Sequence, residues 1–149
     1  MEWVTWIVVI GILLFHSVFD VIERKLPFVT LLMAGAASLG YVLWLLFTGE
    51  TTGSDICMRA VPGVLLLLCA FLTREKVGSG DGILLLITGN FLGYENSAAG
   101  FLLALFLSFV ISVVLLLLRR ADRHTRIPFA PCMTFGVATQ CILQMGVFG

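Results

Sequence analysis

The sequence predicts an all-α integral membrane protein, a bundle of six transmembrane helices with both termini extracytoplasmic, forming a single membrane-embedded domain over residues 1–149. Three observations lead there. Apolar residues make up 60% of the chain and charged residues only 12%, far from the usual balance of a soluble domain. The apolar residues gather into six runs, each near the roughly 17 to 25 residues that cross a hydrocarbon layer. The basic residues collect in alternate breaks between those runs.

The first run, Trp3 to Phe19, follows a Met-Glu-Trp-Val-Thr-Trp start that lacks a positive n-region. No small-residue cleavage site comes after it, so it is expected to remain as a helix rather than be removed as a signal peptide. Phe28 to Phe47 is the second run. The third, Ile56 to Leu72, has to accept Arg59, which can snorkel from a helix end, and Pro62-Gly63, expected to kink it. The fourth, Val77 to Tyr94, holds only about a dozen residues from Gly82 to Gly93, roughly 18 Å of helix. A full crossing has to borrow Val77-Gly78-Ser79-Gly80-Asp81, which draws a glycine-rich turn and an acid toward membrane depth. Irregular backbone is tolerated there only where protein or a water-filled cavity surrounds it. Ala98 to Leu118 and Ile127 to Phe148 complete the set.

Orientation follows from the basic residues. Arg24, Lys25, Arg74, Lys76, Arg119, Arg120, Arg123 and Arg126 lie in the breaks after runs one, three and five, and Arg59 alone lies on the opposite side. The asymmetry predicts cytoplasmic loops at 20–27, 73–81 and 119–127. Trp3, Trp6, Tyr41, Trp44 and Tyr94 then fall near the outer interface, as belt aromatics do.

Composition also excludes several classes. Formal net charge is zero, and the basic residues are explained by topology rather than by a nucleic-acid-binding patch. Cys57, Cys69, Cys132 and Cys141 are scattered singly, with no Cys-x-x-Cys pair and no His, Asp or Glu at metal-ligand spacing. All four are read as structural, with Cys69 and Cys141 as small hydrophobes in apolar runs, and neither a metal nor another cofactor is expected.

Two acids remain conspicuous. Asp20 ends the first run, Asp81 begins the core of the fourth, and the predicted topology puts both at the cytoplasmic edge. Glu2, Glu50, Asp55 and Glu95 belong outside, while Glu23, Glu75 and Asp122 sit among Arg and Lys as solvated charge. An acid beside a membrane span is costly and is by default a functional candidate with a partner. Two carboxylates held close cannot both ionise and so share a proton, which leaves one oxygen to deprotonate water and one acid to protonate a scissile carbonyl. Bland alternatives stand beside this. Asp81 could cap the fourth helix, with Gly78 and Gly80 supplying the turn. Asp20 could lie in the turn that leads through Pro27 and cap the next segment.

Asp20-Val21-Ile22-Glu23-Arg24-Lys25-Leu26-Pro27 resembles the first motif of bacterial type IV prepilin peptidases: an Asp, a short basic stretch, then an aliphatic residue and a Pro seven positions after the Asp. Gly78-Ser79-Gly80-Asp81 is similar to that family's Gly-x-Gly-Asp. Gly89 and Gly93 match glycines that follow the second Asp, and Ile127-Pro128-Phe129-Ala130-Pro131 resembles the C-terminal Ile-Pro-Phe-x-Pro. The resemblance implies a multi-pass aspartic peptidase of the bacterial cytoplasmic (inner) membrane that cuts the short basic leader from prepilin or pseudopilin precursors. Asp20 and Asp81 inherit the catalytic role, and Gly78, Gly80, Pro27 and Pro128 the support of motif or substrate cleft. The partners implied are the precursor and the lipid bilayer.

Departures narrow the expectation. Many relatives carry a Lys two residues after the second Asp, where this chain has Ile83. Larger relatives have an N-terminal methylating region, often with zinc-binding Cys pairs, whereas this chain opens on the first peptidase helix, so cleavage without methylation is expected. His16, one turn before Asp20, could tune it but is read first as a packing residue. Thr88 and Asn90 are expected to bond across helices, and Pro128 to open the last helix. The rival functions are a small polytopic transport or scaffold protein and an inactive peptidase homologue.

Overall fold

The computed structural model describes residues 2–23, 27–73, 78–118 and 129–147. They form five helices, α1 (Glu2–Glu23), α2 (Phe28–Thr48), α3 (Gly53–Leu72), α4 (Ser79–Leu117) and α5 (Ala130–Val147), with no strand among the described residues. In lipid every backbone polar group has to find a partner within the chain, which leaves the helix as the default for such apolar runs. Among the described residues, helices α1 to α4 are the four that are long and apolar enough to cross a membrane. Their outer faces carry bare apolar side chains such as Ile7, Phe47, Phe71 and Leu117. In water such a continuous surface would drive association; against acyl chains it is matched.

Helix α4 is not a straight rod. Its 39 residues would reach about 58 Å if straight. Gly93 breaks it with φ 81° and ψ 171°, a backbone region essentially reserved for glycine. In a straight helix residues eight apart lie about 12 Å from each other along the axis. Here the Ser97 hydroxyl is 3.5 Å from where a Cβ on Gly89 would stand, so the chain doubles back at Gly93. Helix α4 therefore has two legs, residues 79–92 and 94–117. The expected break between the fourth and fifth runs falls earlier and is a single residue, because glycine alone makes the reversal.

The first leg is the centre of the molecule. No residue from 82 to 92 is exposed, and bare backbone lets neighbours come close, as is common between membrane helices. A Cβ on Gly63 of α3 would sit 2.6 Å from the Leu86 Cα, and one on Gly82 would sit 2.8 Å from the Leu67 side chain. Gly89 presses on the Arg59 carbonyl, and Gly136 of α5 on the Gly100 carbonyl of the second leg. Helix α3 runs on as one element through Pro62, both Pro62 and Gly63 being buried against α4.

Polar groups within this apolar body are tied across helices. Arg59 Nη1 donates to the Asn90 carbonyl (3.1 Å), and Asn90 Nδ2 donates to the Ser38 hydroxyl on α2 (3.3 Å). Gln144 Nε2 of α5 donates to Asn96 Oδ1 (2.9 Å), whose own amide donates to the Leu92 carbonyl (3.1 Å). Asn90 thus bonds across helices as expected, but Thr88 donates to Leu84 within its own helix (2.8 Å). Cys132 and Cys141 are buried, and Cys57 and Cys69 are exposed on α3.

Candidate active site

Helix α1 continues beyond Phe19 to Glu23, so Asp20 lies inside its last turn rather than after it. That placement turns the side chain toward α5. Asp20 Oδ2 accepts a hydrogen bond from the Ala130 backbone N–H at 3.1 Å, across 110 residues of sequence. Asp20 therefore caps a helix, but the helix is α5 and not the segment that follows Pro27.

Asp81 occupies the first turn of α4, whose N-cap is Gly78. The Asp81 N–H donates to the Gly78 carbonyl (3.2 Å), so Asp81 is not itself the cap. Its carboxyl folds back over Gly78, where an added Cβ would stand 2.7 Å from Oδ2. The missing side chain at Gly78 is what leaves room for that rotamer. Asp81 is partly buried and feels the charge of Asp20 directly. The two acids come from helices far apart in sequence to one end of the bundle, where Cys132, buried in the first turn of α5, also feels Asp20. Two carboxyls within electrostatic reach disfavour each other's ionisation.

The remaining sequence candidates divide. Gly80 is half-buried in the first turn of α4, next to Asp81. Pro27 is the N-cap of α2, and its carbonyl accepts from Leu31 N–H (3.1 Å) and the Thr30 hydroxyl (3.0 Å). His16 is buried, with Nδ1 donating to the Ile12 carbonyl (2.8 Å) and Nε2 3.3 Å from Thr30 Oγ1. It ties α1 to α2, which is the packing role expected of it. Pro128 and the basic loops, with Glu75 and Asp122, lie outside the described residues. Helix α5 begins at Ala130, so the proline inside its first turn is Pro131. Ile83, at the position of the family lysine, is partly buried against the apolar core.

Other acids are accounted for locally. Asp55 accepts from the Thr52 N–H (3.3 Å) and hydroxyl (2.8 Å) and so closes the start of α3, while Glu23, Glu50 and Glu95 are exposed. An open groove of about 530 Å³ between α1 and α2 is lined by Val8, Ile12, Phe15, Met33, His16 and Thr30. Its polar side chains are already engaged with one another, and it offers apolar surface rather than chemistry.

What sequence reasoning missed is the donor to Asp20. The signal was present in Phe129-Ala130-Pro131: a helix start whose N-cap residue has no side-chain acceptor and so takes one from elsewhere.

Comparison with curated proteins and with solved structures gives no match. A model of the type IV leader peptidase family matches residues 7–117, a segment that holds both Asp20 and Asp81 and most of the helical body. The activity class that goes with it is peptidase, in a membrane setting that the apolar helices share, and the chain belongs to the type IV leader peptidase family.

Proposed function

We propose that this chain is an aspartic endopeptidase working at the cytoplasmic edge of a bacterial inner membrane, where it removes the short basic leader from prepilin or pseudopilin precursors. The observation that carries the reading is the meeting of Asp20 and Asp81, from α1 and α4, within electrostatic reach of each other. In this reading both legs of α4 and α5 each count as a crossing, giving six, with both termini outside and the basic loops on the cytoplasmic side. Gly78, Gly80, Pro27 and Pro128 support the motifs around the two acids.

The reaction needs no covalent intermediate. The ionised carboxylate takes a proton from water as its oxygen bonds to the scissile carbonyl carbon, and the protonated carboxyl gives its proton to the carbonyl oxygen. The tetrahedral gem-diol then collapses: one hydroxyl returns its proton to the second carboxylate as the C=O re-forms, the C–N bond breaks, and the proton held by the first carboxylate leaves on the new amine, which restores one ionised and one protonated carboxyl. Glu23, exposed one turn beyond Asp20, is suitably signed for the basic leader.

Co-expression with a prepilin and mass analysis of the product test this directly. The expected product is a pilin shortened by its leader. A precursor left intact by the folded wild-type protein contradicts the peptidase reading and favours a transport or scaffold role or an inactive homologue.

A further inference from the structure

The two carboxyls are not equivalent. Asp20 accepts the Ala130 N–H at 3.1 Å, whereas among the described residues no donor reaches the Asp81 carboxyl. The N-terminus of a helix concentrates unsatisfied N–H groups and positive partial charge, which favour an anion over a neutral acid. At α5 the usual solution is missing. Phe129, whose carbonyl accepts the first helical bond from Met133 N–H (3.0 Å), has no side-chain acceptor, and Pro131 carries no N–H. The Asp20 carboxylate fills the gap.

We propose that the N-terminal turn of α5 is a positioning element of the catalytic pair. The Ala130 N–H holds Asp20 as the ionised member, so that Asp20 accepts the proton of the attacking water and Asp81 keeps the shared proton for the scissile carbonyl. The inference rests on the peptidase reading above and adds a division of labour to it, through a residue beyond the segment matched by the family model. Among the described residues, the other titratable groups facing Asp20 do not supply this selection. Asp81 on α4 carries like charge, Cys132 on α5 is a thiol, Glu23 on α1 is exposed, and the His16 ring is committed to Ile12 and Thr30.

The test begins with the wild-type protein and Asp20→Asn, each labelled with ¹⁵N in detergent micelles. The Ala130 amide proton is expected to shift with pH in the wild type and to be flat in Asp20→Asn. An Ala130 amide that ignores pH in the wild type overturns the proposal. Ala130→Pro removes the N–H at a helix position proline suits, while adding ring carbons at a buried residue, and is expected to lower kcat about tenfold to a hundredfold at nearly unchanged KM. Ala130→Ser keeps the N–H and is expected to cleave nearly as the wild type does. Wild-type kcat in folded Ala130→Pro also overturns the proposal, and if that variant does not fold the amide titration decides. Failure here is distinct from failure of the peptidase reading: an inactive Asp20→Asn beside a fully active Ala130→Pro removes the α5 role alone, whereas an active Asp20→Asn removes the pair.

Discussion

Replacing Gly78 by alanine should separate activity from stability. At φ −64° and ψ 121° the Gly78 backbone suits any residue, so alanine brings no backbone strain and by narrowing the unfolded ensemble is worth about 0.4 to 1 kcal/mol of stability. The new Cβ, however, stands 2.7 Å from Asp81 Oδ2 and 3.4 Å from its Cγ, below the roughly 3.5 Å at which heavy atoms make favourable contact. The carboxyl is the mobile partner and has to retreat by close to an ångström. A misplacement of about 1 Å in a reacting group costs on the order of a hundredfold in rate. The expected outcome is a protein at least as resistant to heat as the wild type with kcat lowered about tenfold to a hundredfold. A cleavage assay on purified prepilin in micelles, with a melting curve on the same sample, reads both. Wild-type kcat in Gly78→Ala would refute the claim that the Asp81 rotamer depends on the bare Gly78, and a lower melting temperature would refute the backbone argument.

Other perturbations probe the scaffold. Gly93→Ala puts a side chain at φ 81° and ψ 171° and is expected to cost about 1 to 3 kcal/mol, seen as a lower melting temperature. Because no atom lies within 4 Å of its Cβ, crowding is not the cause, and an unchanged melting temperature would show that α4 does not turn there. Arg59→Met removes the donor to the Asn90 carbonyl and is expected to destabilise the protein by about 1 to 3 kcal/mol. Cleavage by the folded fraction should be unchanged, since Asn90 lies at the far end of the leg that Asp81 begins.

The helices were legible because the signals that specify them are local. Phe28 to Phe47 and Ile56 to Leu72 differ from α2 and α3 by at most a turn, since lipid-facing helices announce themselves by apolar length. Asp20 and Asp81 stood out in the sequence because acids beside apolar runs are few. What could not be read was tertiary. The reversal at Gly93 depends on one residue's φ, and a run of helix-forming neighbours gives no sign of it. The Ala130 donor to Asp20 joins positions 110 residues apart that no periodicity connects. Cys69 and Cys141 both lie in apolar runs, yet only Cys141 is buried, because in a membrane apolar sequence does not distinguish the lipid face from the core. Asn90 was recognisable as a cross-helix donor, while its partner Ser38 was not.

The central claim is that Asp20 and Asp81 together cut the leader. The most direct measurement is the rate of leader removal from a prepilin by wild type, Asp20→Asn and Asp81→Asn at equal amounts of folded protein. Each substitution removes one half of a proton-sharing pair and is expected to lower the rate about 10²- to 10⁴-fold with the helical fold retained. Cleavage at the wild-type rate by either variant would contradict the account.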